Sequence, residues 1–345
     1  MRLAPSAFGI ALALVAAGCA KPPAGVPEGC AYGVVDLHVD LPFQVHYRGR
    51  SPDLSQPGSD VTTASLRAGC VQLLVLSIFL PTGLKPRPHS LDELLAVLAT
   101  GEAIVAANPL LTLSPGSGVT VVFSLEGSQA VAARPDLIPS LVQRRVLLFG
   151  LVHAHHNDLA DSSSDPHPGR GGLTPAGERF VDAVYRAGAL VDLSHASDEA
   201  FEDVARIAHQ WGRPLVATHS NARAITPHRR NLTDAQLRTI ASSGGIVGLA
   251  FHSPFLRHDR KQATANQVAG HARHLMEVMG PSHVAIGSDL DGLIHHAAGL
   301  ESHQGIPALI NALHRQGIDG ESLHALLRDN ALRVLAPLGR RSGRR

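Results

Sequence analysis

Val34-Val35-Asp36-Leu37-His38-Val39-Asp40 runs from apolar residues of strand type straight into two side chains able to hold a cation. Along an extended backbone side chains alternate, so His38 and Asp40, two apart, point the same way. A neutral imidazole and a carboxylate can then meet one metal ion. Taken alone, a His-x-Asp pair is more often a hydrogen-bonded surface pair than a ligand pair. What shifts that balance is recurrence: an apolar run closed by a residue of ligand type appears again and again down the chain.

The second run is Cys70 to Leu80, ended by Pro81, and the third, Val119 to Leu125, hands over Glu126. Val146 to Val152 delivers His153, Ala189 to Ser194 delivers His195, and Pro214 to Thr218 delivers His219. Gly245 to Phe251 is the seventh run, and Val284 to Ser288 is the eighth, closing on Asp289. Helical spacing or capping places helices at Ser90 to Ala107, Pro175 to Ala187 behind Thr174, Asp198 to Trp211 and Asp234 to Ser242. Two more fall near Ile306 to Arg315 and Ser322 to Leu335. Continuous apolar strands alternating with helices predict an α/β chain folded as a (β/α)8 TIM-type barrel, because parallel strands are buried on both faces. An open doubly wound sheet is the alternative, but Asp36 to Pro42 lacks the glycine fingerprint that a nucleotide-binding sheet places after its first strand. The polar residues also fall where barrel active sites lie, at the carboxyl ends of the strands.

A chain of 345 residues, 44% hydrophobic and 17% charged, supplies enough core for one barrel. The formal charge of +1 gives no field for nucleic acid or anionic lipid, and 21 histidines lean toward metal chemistry. At the N-terminus, Arg2, the apolar run Phe8 to Ala17 and a Pro/Gly-rich piece have the layout of an export signal, too short to span a membrane. Val15-Ala16-Ala17-Gly18-Cys19 has the form of a bacterial lipoprotein signal, with Ala16 where Leu or Val is commoner. The expected organisation is a signal over 1–18, a linker over 19–31, one catalytic domain over 32–338 and a basic tail over 339–345. The mature protein is then expected at the bacterial envelope, lipid-anchored through Cys19, or periplasmic or secreted if that cysteine is not lipidated. Cys30 and Cys70 remain as thiols that export would allow to pair.

Together the strand ends offer His38, Asp40, Glu126, His195 and His219, enough for two borderline-soft divalent ions sharing one carboxylate. Such a carboxylate lets two cations sit about 3.5 to 4 Å apart and act on one water. Each residue singly is more often structural, but five at one barrel mouth point to a site.

The ordered segments Asp36 to Pro42, Ser124-Leu-Glu-Gly127, Val152-His153 with Asn157 to Ser163, Gly188 to His195, Thr218-His-Ser220, Arg230-Asn231 and Gly287-Ser-Asp-Leu-Asp-Gly292 resemble the membrane (renal) dipeptidase family of binuclear zinc peptidases, bacterial members included. The resemblance implies two Zn2+ ions per chain. His38 and Asp40 would hold one, His195 and His219 the other, with Glu126 bridging. It implies that a hydroxide bridging the ions cleaves dipeptides, that His153 stabilises the oxyanion, that Arg230 clamps the substrate carboxylate, and that Asp289 carries the proton to the leaving amine. Substrate contacts thus fall to His153, Arg230 and Asp289. His155 and His156 contest the role of His153, Asp291 is read as a brace for the Asp289 loop, and Arg229 as a solvated neighbour of Arg230. The chain departs from the family at Gln129, where histidine is usual, at Tyr185, where Asn is commoner, and at Ala250-Phe251-His252, where Asn and an aromatic pair are frequent. These departures flank the pocket and bear on specificity. The alternatives are a related amidohydrolase acting on N-acyl amino acids or lactams, and a catalytically silent binding homologue. Beyond the dipeptide the only partners expected are the membrane, through the lipid anchor, and a second copy in a homodimer.

Overall fold

The computed structural model describes residues 32–81, 90–114, 118–259 and 261–338. The export signal, Cys19, Cys30 and the basic tail lie outside the described residues. Among the described residues nine strands form in chain order: β1 (Val34–Val39), β2 (Val71–Phe79), β3 (Leu111–Thr112), β4 (Val119–Glu126), β5 (Val146–Gly150), β6 (Leu190–Asp192), β7 (Val216–Ala217), β8 (Ile246–Leu249) and β9 (Val284–Ile286). All pair in parallel, in the order β2-β1-β9-β8-β7-β6-β5-β4. A long β2–β4 ladder, from Leu73↔Thr120 to Phe79↔Glu126, closes the ring. The result is the eight-stranded barrel the apolar runs predict. β3 is an addition the sequence did not announce, a two-residue flap on the edge of β4.

Several strands end earlier than their apolar runs, and the cause is visible in the hydrogen bonds. The backbone N–H groups of His38 and Ser288 donate to Asp36 Oδ1 at 3.2 and 2.9 Å. Those of Ser194 and Thr218 donate to Asp192 Oδ1 at 3.0 and 2.9 Å. Two fully or nearly buried carboxylates thus take over donors that a regular ladder would use. β6 ends at Asp192, β7 at Ala217 and β9 at Ile286, while β1 runs on to Val39, and the residues that follow these ends turn at the barrel mouth.

Around the barrel, helix starts follow their capping residues. The hydroxyls of Ser90, Thr174, Ser197 and Thr233 accept from the N-terminal turns of the helices Leu91–Ala107, Pro175–Arg186, Asp198–Trp211 and Asp234–Ser242. Five α-helices among the described residues go beyond the sequence expectation: Leu41–Arg48, Thr63–Ala68, Ile138–Gln143, Ser253–Leu256 and Ala265–Met279. The last stretch read as Ser322 to Leu335 is a helix from Gly320 to His324, a π turn over Ala325–Asp329 and a helix over Asn330–Leu335. Cys70 is disulfide-bonded, its partner lying outside the described residues. No described helix is long and apolar enough to cross a membrane.

Candidate metal centre and active site

Each candidate side chain is delivered by the end of a different strand. His38 belongs to β1, and Asp40 is the N-cap of the helix Leu41–Arg48, whose Pro42 sits in the first turn. An N-cap aspartate normally accepts from that turn, but this one makes no side-chain cap. Its carboxylate faces the barrel instead, with Oδ2 3.5 Å from His38 Nε2. Glu126, the last residue of β4, lies at the centre. Its Oε1 is 3.0 Å from His195 Nε2, 3.4 Å from His219 Nε2, 3.6 Å from His38 Nε2 and 3.9 Å from His153 Nε2. His195 and His219 bring their Nε2 atoms within 3.0 Å of each other. All five residues read from the strand ends are therefore in one cluster.

Backbone strain concentrates here. His195 and Asp289 adopt left-handed φ values of 70° and 66°, which non-glycine residues rarely take and which functional sites commonly carry. Asp289 N–H donates to His38 O at 3.0 Å, tying its turn to β1. A Cβ on Gly292 would fall 2.3 Å from Asp289 Oδ1 and 2.6 Å from Asp40 Oδ2. Only glycine leaves room for the two carboxylates side by side.

Asp40, Glu126, His153, His195, Arg230 and Asp289 line a cavity of about 300 Å³, walled by Phe43, Phe79, His252, Phe255, Leu293 and Ile294. Arg230 is buried, with its guanidinium 5.3 Å from the centre of the Phe255 ring. One of its nitrogens donates to His219 O at 3.2 Å, while Nε has no partner among the described residues. His153 stands edge-on to Phe79 at 4.4 Å between ring centres. His155 and His156 turn away from the cavity, toward Asp165 and Asp161, which separates them from His153. Asp291 does brace the loop: its two carboxylate oxygens accept from the Asp60 and Val61 N–H groups at 2.8 and 3.3 Å. Arg229 is exposed and donates to Asp165 O. Of the departures, His252 forms part of the cavity wall, and its Nδ1 accepts from His295 N–H at 3.0 Å. Gln129 lies beside Asn157, and Tyr185 is fully buried, away from the cavity.

The electrostatics show a centre built for positive charge. Burial and the neighbouring Asp40 push Glu126 well above the usual carboxylate range, and they push Asp289 up to about 8. Burial opposes a charged His38, yet Asp40 and Glu126 hold its pKa at about 10. Burial brings Arg230 down to about 10, and drives His195 and His219 well below their ordinary value. Three buried carboxylates thus face one arginine, and protons fill the deficit wherever no cation does. The donor set fits divalent ions on its own chemistry. His38 Nε2 and Asp40 Oδ1 are buried without hydrogen-bond partners, and neutral imidazoles with carboxylates are what zinc-like ions prefer. Three interleaved groups have donor atoms close enough to share an ion: His38–Glu126–His219, Glu126–His153–His195 and His38–Asp40–Asp289.

The sequence reading missed the residues behind the ligands. Asp36 accepts from Ser288 Oγ at 2.5 Å and His303 Nε2 at 2.9 Å, and Asp192 accepts from Thr218 Oγ1 at 2.5 Å. A carboxylate inside an otherwise apolar strand was the available signal, since such a group is tolerated only when fully paired.

Fold and centre define a parallel barrel with a carboxylate–imidazole cluster able to hold metal at its mouth. The family model for membrane dipeptidase (peptidase family M19) matches residues 31–340, and the chain belongs to that family. It is 45% identical over 182 residues to an uncharacterized protein in the pqqA 5' region of Klebsiella pneumoniae, covering 52% of this chain and 65% of that one. It is 32% identical over 223 residues to dipeptidase aclJ of Aspergillus oryzae, covering 64% of this chain and 52% of the relative. The matches therefore span between half and two thirds of these relatives. A solved metallo peptidase from Rhodobacter sphaeroides, liganded with a phosphinate mimic of the dipeptide L-Ala-D-Ala, is 27% identical with a TM-score of 0.79, covering 89% of this chain and 99% of that one.

Proposed function

We propose that this chain is a zinc-dependent dipeptidase with two ions per centre. The observation that carries the reading is Glu126 encircled by His38, His153, His195 and His219, in a cavity that also holds Asp40, Asp289 and Arg230. His38 and Asp40 would hold one ion, His195 and His219 the other, and Glu126 both. Bound there, the ions supply Lewis-acid charge that makes a water nucleophilic near neutral pH.

The chain's own residues do the rest. Asp289, buried beside Asp40, is positioned to take a proton from the attacking water and return it to the leaving amine. Burial lowers His153 to about 3, so its ring is neutral at pH 7 and offers an N–H to the oxygen of the scissile carbonyl as charge develops there. The unpartnered Nε of Arg230 offers its fork to a substrate carboxylate. A cavity near the lower end of the roughly 300 to 1,000 Å³ range of small-ligand sites suits a dipeptide better than a longer chain. The phosphinate dipeptide mimic bound by the Rhodobacter sphaeroides relative supports that substrate class.

The test is Asp289→Asn, assayed for metal content and dipeptide turnover. Both metals should stay while turnover falls by about 10² or more. Unchanged turnover removes Asp289 from the chemistry, and loss of an ion makes it a ligand. We further infer export and lipid anchoring on the strength of the N-terminal signal. A Cys19→Ser protein that still partitions with membranes would contradict the anchor.

A further inference from the structure

Behind the ligand cluster one hydroxyl serves two histidines. Thr218 Oγ1 lies 2.9 Å from His219 Nδ1 and 3.2 Å from His38 Nδ1. It lies 2.5 Å from Asp192 Oδ2, and Ser194 Oγ is the longest contact at 3.3 Å. All five residues are buried. A threonine hydroxyl has one proton and two lone pairs. Asp192 Oδ2 accepts from this hydroxyl in the shortest of its contacts, so it claims the proton. Asp192 is held in turn by the Ser194 and Thr218 N–H groups on its other oxygen. The Ser194 hydroxyl accepts from His219 N–H at 3.1 Å, and at 3.3 Å it is the longest of the three contacts that could use the lone pairs of Thr218 Oγ1, so the two nearer imidazoles take them. Both lone pairs of Thr218 Oγ1 then face imidazole nitrogens, which must donate.

We propose that Asp192 and Thr218 form a shared latch that fixes His38 and His219 together as Nδ1–H donors, so that both rings present Nε2 to the metal centre. The inference rests on the dipeptidase reading, in which these two histidines belong to different ions. One hydroxyl then sets the orientation and tautomer of a ligand on each ion, and the two sites are built or lost together. Thr218 and Asp192 are positioning residues; neither touches substrate. Outer partners of metal-bound histidines typically control about 10- to 100-fold in metal affinity, and this partner acts on two rings at once.

The experiment uses the full chain, stripped of metal and titrated with zinc against a chromophoric chelator. Thr218→Val, which keeps the shape and removes the hydroxyl, should weaken both binding steps by 10-fold or more, and Thr218→Ser should stay close to wild type. Weakening of one step only, of neither, or equal weakening in the serine variant overturns the latch. Nitrogen-15 spectra of histidine-labelled, metal-free wild type provide a readout that does not need the variant to fold: His219 should carry its proton on Nδ1 with Nε2 bare, and Nδ1 of His38 should be protonated. A ring with a bare Nδ1 at either position overturns the proposal. A wild type that takes up fewer than two ions sinks the two-ion reading instead, and the spectra still decide the latch.

Discussion

Gly287→Ala is expected to damage the centre from behind. Gly248 and Gly287 lie next to each other across the β8 and β9 ends, and a Cβ on Gly287 would stand 1.7 Å from Thr218 O and 3.2 Å from Gly248 Cα. Real Cβ contacts essentially never fall under 3.0 Å, so the carbonyl would have to retreat by about 1.3 Å. That carbonyl belongs to backbone, not to the end of a flexible side chain, and it leads directly into His219. Overpacking a barrel interior costs typically about 1 to 3 kcal/mol, and a clash with main chain belongs at the upper end or beyond it. A displacement near 1 Å at a ligand-bearing segment can cost on the order of 10²-fold in rate. Urea unfolding, metal content and dipeptide turnover should therefore all fall together, by about 3 kcal/mol in stability and about 10² in turnover. Gly270→Ala is the control: it lies in the helix Ala265–Met279 with nothing within 4 Å of the added methyl, and should be neutral or stabilising by about 0.5 to 1 kcal/mol. A Gly287→Ala protein with wild-type stability and full metal content would refute the packing argument.

Arg230→Lys should weaken hydrolysis of free-acid dipeptides, because one ammonium cannot reproduce a two-pronged contact, and amidating the substrate's C-terminus should do comparable harm to the wild type. An equally strong free-acid preference in Arg230→Lys and Arg230→Ala would remove Arg230 as the clamp. Acid should destabilise the fold partly through His271, which is fully buried, accepts from Ala222 N–H at 3.1 Å and is lowered by burial to about 4. The folded pKa of this base lies below its unfolded value. Its contribution is therefore complete above about pH 6.5 and is lost as pH falls toward 4, roughly 3 kcal/mol in all. Unfolding free energies measured from pH 7 to 4 should fall less steeply in His271→Gln, and an unchanged slope would discount the residue.

The architecture was legible because parallel barrel strands are apolar on both faces, and Val71–Phe79 or Val119–Glu126 can hardly be anything else. The helix Ala265–Met279 was not, because its buried stripe mixes three alanines, Ala265, Ala269 and Ala272, and the polar His271 with Val268, Leu275 and Met279. The helix Leu41–Arg48 was hidden by Pro42, which reads as a breaker but is at ease in a first turn. Strand ends were misjudged where Asp36 and Asp192 intercept backbone donors, a substitution that depends on neighbours up to 252 positions away. At the site, ligand types at strand ends pointed to His38, Asp40, Glu126, His195 and His219. Strand alternation and the family position favour His153 over His155 and His156, and the structure supplies what spacing lacks, the contacts that hold those two against Asp165 and Asp161. Nor could sequence spacing show the left-handed turns at His195 and Asp289.

The central proposal is metal-dependent cleavage of a peptide bond at Glu126 and its four histidines. Metal analysis of the purified protein, paired with hydrolysis of an unmodified dipeptide before chelation, after it and after zinc is returned, tests that claim most directly. The expected result is about two ions per chain, activity abolished by the chelator and restored by zinc, and neither ions nor activity retained in Glu126→Gln. A metal-free preparation that hydrolyses the dipeptide at full rate would contradict it.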